Sequence, residues 1–560
     1  MDVMGKTTVF GYSAERTKEA HSPEYEGFMR GANNNRENTY ITYEDYGAIG
    51  DGVADDSEAI RAAHNAANEK GLPVLGRSDA LYRIGYLDST INVMTNTDWN
   101  GALLIFDDRT VHWEDKNRWV NVFTVISGTP KKAIEVPEGL ALVRGQENVG
   151  MTFDKPCLIK LENEGEKIYL RYGENANGGV NKNEMILVDE KGNVDPSTPI
   201  QYDYATVTKI TVYSIDDEPV YIGNGRIKTI VPNPKSVDPD YENHYCYYGR
   251  GISAERSNTT VYNITHSIEG EDMTIEIDRN GDGVIDFWGA DKSYGVPYAG
   301  FFGFRGCYNS LMTDCLVQGH QAYSFYQGVT RNEKGNIRNE MGSYDITAND
   351  CVNISFKNLV QYENEQTGEV ITNRKMYHGV MGSNFCRNVT MDNCYLDRFD
   401  SHQGLHNARI TNCTLGFGIL VIGGGELYIE NVYRIAVGGA FVHLRMDYNS
   451  YFDGDVILKN CRMGSELDTI VIGRWVSFYN GLPNYVTRSV TVDGLVVDGG
   501  ELHVYNIREA VPNSVNDEVN KLYLPEMIRL TNVTSPNGVK TKIGASKNDD
   551  ALAGIEIIME

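Results

Sequence analysis

The densest group of chemically able side chains is the run Asp397-Arg398-Phe399-Asp400-Ser401-His402-Gln403-Gly404-Leu405-His406. It puts two carboxylates, two imidazoles, a guanidinium and an amide within ten residues. Such a run is too polar for a core strand. Paired carboxylates are what cleavage of a glycosidic bond requires: one carboxylic acid gives a proton to the leaving oxygen, and the other carboxylate attacks the sugar carbon or activates water. Asp397 and Asp400 are the first candidates, because like-charge neighbours raise one pKa and leave the other group ionised. Glu426 is the alternative second carboxylate. Tyr377, His378, His402, His406 and Arg445 are expected to position or polarise the sugar. Arg398, Gln403 and His443 extend the same wall, and Tyr344 and Asp345 approach it from the preceding side. The plainer reading is a solvated turn between strands.

A second constellation is Asp278-Arg279-Asn280-Gly281-Asp282-Gly283-Val284-Ile285-Asp286. Asp278, Asn280, Asp282 and Asp286 occupy positions one, three, five and nine of a calcium loop, with Gly at six. Gly289 stands where a bidentate Glu belongs, so the expectation is a structural calcium, with an Asx-rich turn as the other outcome. The hydrolytic reading requires no cofactor.

What must position these residues is a repeat. YNSLMTDC (308–315), VNISFKNL (352–359), RNVTMDNC (387–394), HNARITNC (406–413) and GELYIENV (425–432) are strands of alternating apolar residues with Asn, Asp or Glu at the ends. The last three recur at a spacing of nineteen. Stacked rungs of a solenoid give that pattern, and equivalent residues then lie one above another. Counting back eleven residues from Ala408 and from Val389 gives Asp397 and His378, which are therefore expected on adjacent rungs about 5 Å apart. Asn309, Asn353, Asn388 and Asn407 are expected to form a structural amide ladder, with Glu426 in the next slot. Cys315, Cys394, Cys413 and Cys461 share one rung position and read as a buried column of small apolar side chains.

With 560 residues the chain is long for one globular core, but a solenoid grows by adding rungs. Its 57 glycines and 35 tyrosines suit short strands and tight turns. The net charge of −26 argues against nucleic acid or an anionic membrane as partner. Nine cysteines without a CxxC pair indicate neither a disulfide framework nor a zinc site. The first residues show no signal peptide, so the expectation is a cytoplasmic protein or one exported with its signal removed.

The segment DYGAIGDGVADDSEAI (45–60), a turn-rich head leading into an Ala-rich helix that runs to about Lys70, resembles the opening motif of the pectate-lyase-like superfamily. That superfamily includes polygalacturonase-like glycosidases and phage tailspike-like proteins. The resemblance implies an all-β fold, a right-handed parallel β-helix with an N-terminal capping helix near 55–70 and inserted loops or a small β subdomain between about 100 and 300. The rung pattern extends it to about residue 500. Residues 1–40 are then an N-terminal arm, 41–504 the β-helix and 505–560 a closing segment. The superfamily's frequent trimers make a homotrimer one expected assembly, and a bacterial or phage origin is implied. GHG, one mark of the polygalacturonase branch, is absent, and Asn96-Thr97-Asp98 and Arg226-Ile227-Lys228 fall outside the repeat. No pectin-degrading assignment follows.

The expected function is a glycoside hydrolase acting on an oligo- or polysaccharide held in a lateral groove. The rivals are a polysaccharide lyase or uronate epimerase, and a tailspike or adhesin that binds glycan without turnover.

Overall fold

A computed structural model describes residues 39–111, 116–171, 178–231, 247–270, 275–277, 287–289, 296–297, 301–317, 344, 346–360, 382–435, 439–445, 451–464, 469–474, 481–507, 518, 521–540 and 555–560. The calcium-loop residues Asp278, Asn280, Asp282 and Asp286, together with Tyr377 and His378, lie outside them. So does Asp345.

Thirty strands form one large sheet, wound as a parallel β-helix. The strands Tyr308–Thr313, Val352–Lys357, Arg387–Asp392, Leu405–Thr411, Gly423–Glu430 and Phe452–Met463 pair in parallel, each with the next. Alternation of apolar and polar residues sends every second side chain inward. Phe356, Met391, Ile410, Ile429, Leu458, Val492 and Leu530 thus form one register column, all buried. Each such side chain contributes about 1.5–3 kcal/mol by leaving water. Coil strands continue past residue 505, where the sequence pattern fades: Ser489–Val497 pairs with Met527–Thr534, and that strand pairs with Glu556–Met559.

The helix Ser57–Lys70 buries Ile60, Ala63 and Ala67 against the first rungs. The N-cap residue is Asp56, and Asp55 before it accepts from the Ser57 N–H at 3.0 Å through Oδ1. Asp56 turns back instead and accepts from the Ile49 N–H at 2.7 Å, which ties down the turn-rich head.

The asparagine ladder forms. Asn388 donates to Asn353 Oδ1 at 2.9 Å and Asn407 to Asn388 Oδ1 at 3.0 Å. A second column runs from Asn393 to Asn358 and on to Asp314. These residues hold φ between 50° and 60°, the left-handed conformation that Asn tolerates best after Gly, so each rung turns its corner at an amide. Cys315, Cys394, Cys413 and Cys461 are free and buried. Burial pushes the thiols of Cys315 and Cys461 up to about 12.

Between the early rungs the chain builds a four-stranded antiparallel sheet from Lys132–Ile134, Cys157–Tyr169, Val180–Val188 and Lys209–Ser214. It has its own core, including Leu142, Ile159, Leu161, Ile186 and Ile210. This sheet packs on the flank of the coil. Glu184 and Arg387, both buried, form an ion pair, and Leu158 and Met185 pack on Val352.

Candidate functional site

The polar run of the sequence forms the strand Tyr395–Gln403, which pairs with Gly382–Asn384 on one side and Thr414–Val421 on the other. Phe399 points into the coil core, so its neighbours Arg398 and Asp400 point away from it. Asp400 is nevertheless fully buried. It forms ion pairs with Arg398 and Arg445, and His402 Nε2 lies 3.6 Å from its Oδ2. Tyr344 OH hydrogen-bonds His402 and reaches Asp400 Oδ2 at 3.4 Å. The structure therefore brings five expected residues together: Tyr344, Arg398, Asp400, His402 and Arg445.

Their electrostatics fix the state of Asp400. Burial alone pushes the Asp400 carboxyl up, but the guanidinium groups of Arg398 and Arg445 outweigh it and hold the carboxyl well below the usual range. A carboxyl held ionised is a poor proton donor, so of the two roles expected of the Asp397 and Asp400 pair, acid and base or nucleophile, Asp400 does not suit the acid. It clamps two cations instead. One rung on from Leu420, itself the partner of Asp400, His443 is buried, and burial followed by Arg434 and Arg398 pushes its imidazole down to about 3.

Register explains two further differences. Gly382 pairs with Asp400, one residue away from the pairing that a constant spacing of nineteen predicts, because His402 is an extra residue between Ser401 and Gln403. Such a bulge re-aims a side chain, and here it turns His402 toward Tyr344. A second bulge sets Gly425 and Glu426 opposite Asn407. The left-handed turn position passes to Gly425 at φ 77°, and Glu426 does not continue the ladder through its side chain. Its backbone N–H donates to Asn407 Oδ1 at 2.9 Å, and its carboxylate is exposed. The strand position of Asp397 opposes Gly416 and Phe417 across a third irregularity. Its proposed stacking with His378 involves a residue outside the described set.

His406 belongs to a different place. It borders a pocket of about 260 Å³ between the inserted sheet and the coil. The floor is Gly423-Gly424-Gly425, and a Cβ on Gly425 would come within 2.8 Å of the His406 ring. From the inserted sheet and its loops come Arg144, Lys182 and Tyr202, and from later rungs Tyr451, Asp453, Tyr485 and Arg488. In register terms His406, Gly424 and Asp453 form one column. Arg144 pairs with Asp453 at 3.1 Å and Arg488 with Asp455 at 3.0 Å. Tyr451 meets Tyr485 edge to face, and Tyr485 stacks on Tyr523 at 4.3 Å. Burial, then Tyr523 and Asp453, push the Tyr485 hydroxyl up to about 12; Tyr202 and Tyr451 are raised further still, by burial first. All three stay protonated at neutral pH. Burial, then Arg387, Arg144 and Arg488, push His406 down to about 3, so its ring is neutral. Its Nδ1 is buried without a hydrogen-bond partner among the described residues.

Sequence reasoning missed every lining residue except His406. One signal was present: three consecutive glycines inside an otherwise regular rung strand mark a place where backbone must be approached closely. Among the described residues no cluster of three or more His, Cys, Asp or Glu side chains suits a metal ion, and no helix is long and apolar enough to cross a membrane.

No family model matches the chain, and no curated protein matches its sequence. Solved structures do. The tailspike protein gp49 from Pseudomonas phage LKA1 is 13% identical over 88% of this chain and 81% of its own, with a TM-score of 0.48. The Gp54 tailspike of Acinetobacter baumannii bacteriophage AP22, solved with a capsular saccharide, is 11% identical over 92% and 79%, at 0.47. The catalytic unit of an alpha-1,3-glucanase from Streptomyces thermodiastaticus is 10% identical over 94% and 68%, at 0.33. Likenesses this distant say nothing of activity. The chain's own strand pairing makes it a parallel β-helix protein, the fold of the pectate-lyase-like superfamily that its opening motif resembles.

Proposed function

We propose that the protein is a carbohydrate-active β-helix that holds an oligo- or polysaccharide in the pocket between inserted sheet and coil and hydrolyses a glycosidic bond there. The observation that carries this reading is a glycine-floored pocket that brings the neutral ring of His406 together with protonated tyrosine hydroxyls and ion pairs. Sugar hydroxyls, which both donate and accept, match such a wall. Concave sites with a few convergent polar groups are the usual form of a ligand pocket.

In the hydrolytic step, water adds across the glycosidic bond: its oxygen joins the sugar carbon and a proton goes to the leaving oxygen. Asp453, paired with Arg144 on the pocket wall, is the group placed to attack the sugar carbon or activate water. Asp203, exposed on the inserted-sheet wall, and Glu426, exposed next to the floor residue Gly425, are the candidates for proton donor.

Binding without turnover, as in a tailspike or adhesin, is the second reading. It is favoured by the sealing of Asp400, the most chemically equipped carboxylate of the chain. Incubation with plant, microbial and host glycans, with product chromatography and ultraviolet detection, separates the readings. New saturated ends support hydrolysis, an absorbing unsaturated ring supports a lyase, and binding with no product supports the second reading.

A further inference from the structure

Resting on the saccharide reading of this pocket, we infer that it selects a neutral saccharide and discriminates against one carrying carboxylate or sulfate groups. Each cation that lines it or lies directly behind it has a carboxylate partner: Arg144 has Asp453, Arg488 has Asp455, Lys182 has Glu166 and Arg387 has Glu184. An acidic sugar arriving there finds no cation in excess among the described residues. It must displace a carboxylate from its guanidinium, or be held beside one, and a like charge close by costs binding energy. The whole-chain charge of −26 adds repulsion at long range.

The rest of the lining has the same polarity. His406 supplies an unpartnered nitrogen on an uncharged ring, and Tyr202, Tyr451 and Tyr485 line the pocket with phenol hydroxyls. Phenols, a neutral imidazole and internally balanced ion pairs match sugar hydroxyls, which exchange hydrogen bonds in both directions without net charge. A lyase or uronate epimerase needs the opposite, a cation left over to neutralise the substrate carboxylate.

The test is calorimetric titration of the full chain with two sets of oligosaccharides equal in length, one of neutral hexoses and one containing uronates, at low and at moderate salt. The expected result is at least tenfold tighter binding within the neutral set, with the gap narrowing as salt rises because screening weakens the repulsion. Asp455→Asn, which releases Arg488, is expected to improve uronate binding severalfold and so to narrow the gap between the two sets. Uronates bound as tightly as neutral sugars by the unaltered chain would overturn the selectivity and leave the saccharide reading standing. Binding of neither set removes the saccharide reading, and the selectivity falls with it.

Discussion

Asp453 stands two rungs from His406 in a single register column, and only Gly424 lies between them. The missing side chain at Gly424 leaves the backbone as the floor of the pocket, with an imidazole on one side and a carboxylate on the other. Most of the functional expectations rest on this column.

His406→Ala is expected to weaken saccharide binding roughly three- to tenfold, the loss of about one neutral hydrogen bond. Because Nδ1 has no partner among the described residues, thermal stability should change little by comparison. Calorimetry alongside a thermal melt reads both quantities. Unchanged affinity would remove His406 from the site.

Asp453→Asn keeps the shape of the pocket wall and removes its carboxylate. Turnover should fall by two orders of magnitude or more while binding of the same oligosaccharide stays within a few-fold. Chromatographic rates and calorimetry decide between this and a purely binding role, in which neither changes.

Asp400→Asn should destabilise the coil by about 3–5 kcal/mol, since it removes a buried carboxylate that pairs with both Arg398 and Arg445. Denaturant unfolding measures this. A loss below about 1 kcal/mol would mean that the two cations find other partners. Asp400→Leu combined with Arg398→Leu and Arg445→Met removes the charges together and should recover part of the loss.

Acid should weaken the fold through its buried histidines. His64, His406 and His443 are each pushed down to about 3, by burial first in every case. In the unfolded chain they titrate near the ordinary value of about 6.5. Between these values the unfolded state binds protons that the folded state refuses, so stability falls as pH drops from about 6.5 toward 3. The slope approaches about 1.4 kcal/mol per pH unit for each histidine. Asp400 acts in the same direction at lower pH: its folded pKa is depressed, so its contribution is complete above the ordinary carboxylate range and is lost as pH falls through the folded value. Urea midpoints at pH 7.5, 5.5 and 4.5 test the histidine part, and a flat profile across that range contradicts it. Replacing His64 by Gln should reduce the slope by about one proton.

Much of the coil was legible from local chemistry. Asn353, Asn388 and Asn407 announce left-handed corners, because few other side chains accept that backbone, and the alternation in segments such as RNVTMDNC assigns the inward face. The column Phe356, Met391, Ile410 and Ile429 comes directly from that spacing. The helix Ser57–Lys70 could be read from its acidic start and Ala-rich body.

The site was not legible in the same way, for two physical reasons. A strand's side chains alternate faces, so one extra residue puts the positions on one side of it out of step with the constant spacing, and the bulges at His402 and at Gly425-Glu426 are additions of that kind, set by pairing between rungs. The sequence by itself therefore determined the repeat, the core columns and the candidate polar strand. Only the tertiary structure decided that Asp400 is clamped between two guanidinium groups and that Arg144, Lys182 and Tyr202 reach His406 from an inserted sheet more than two hundred residues earlier in the chain. Docking of one folded element on another depends on complementary surfaces far apart in sequence, and no local spacing encodes that match.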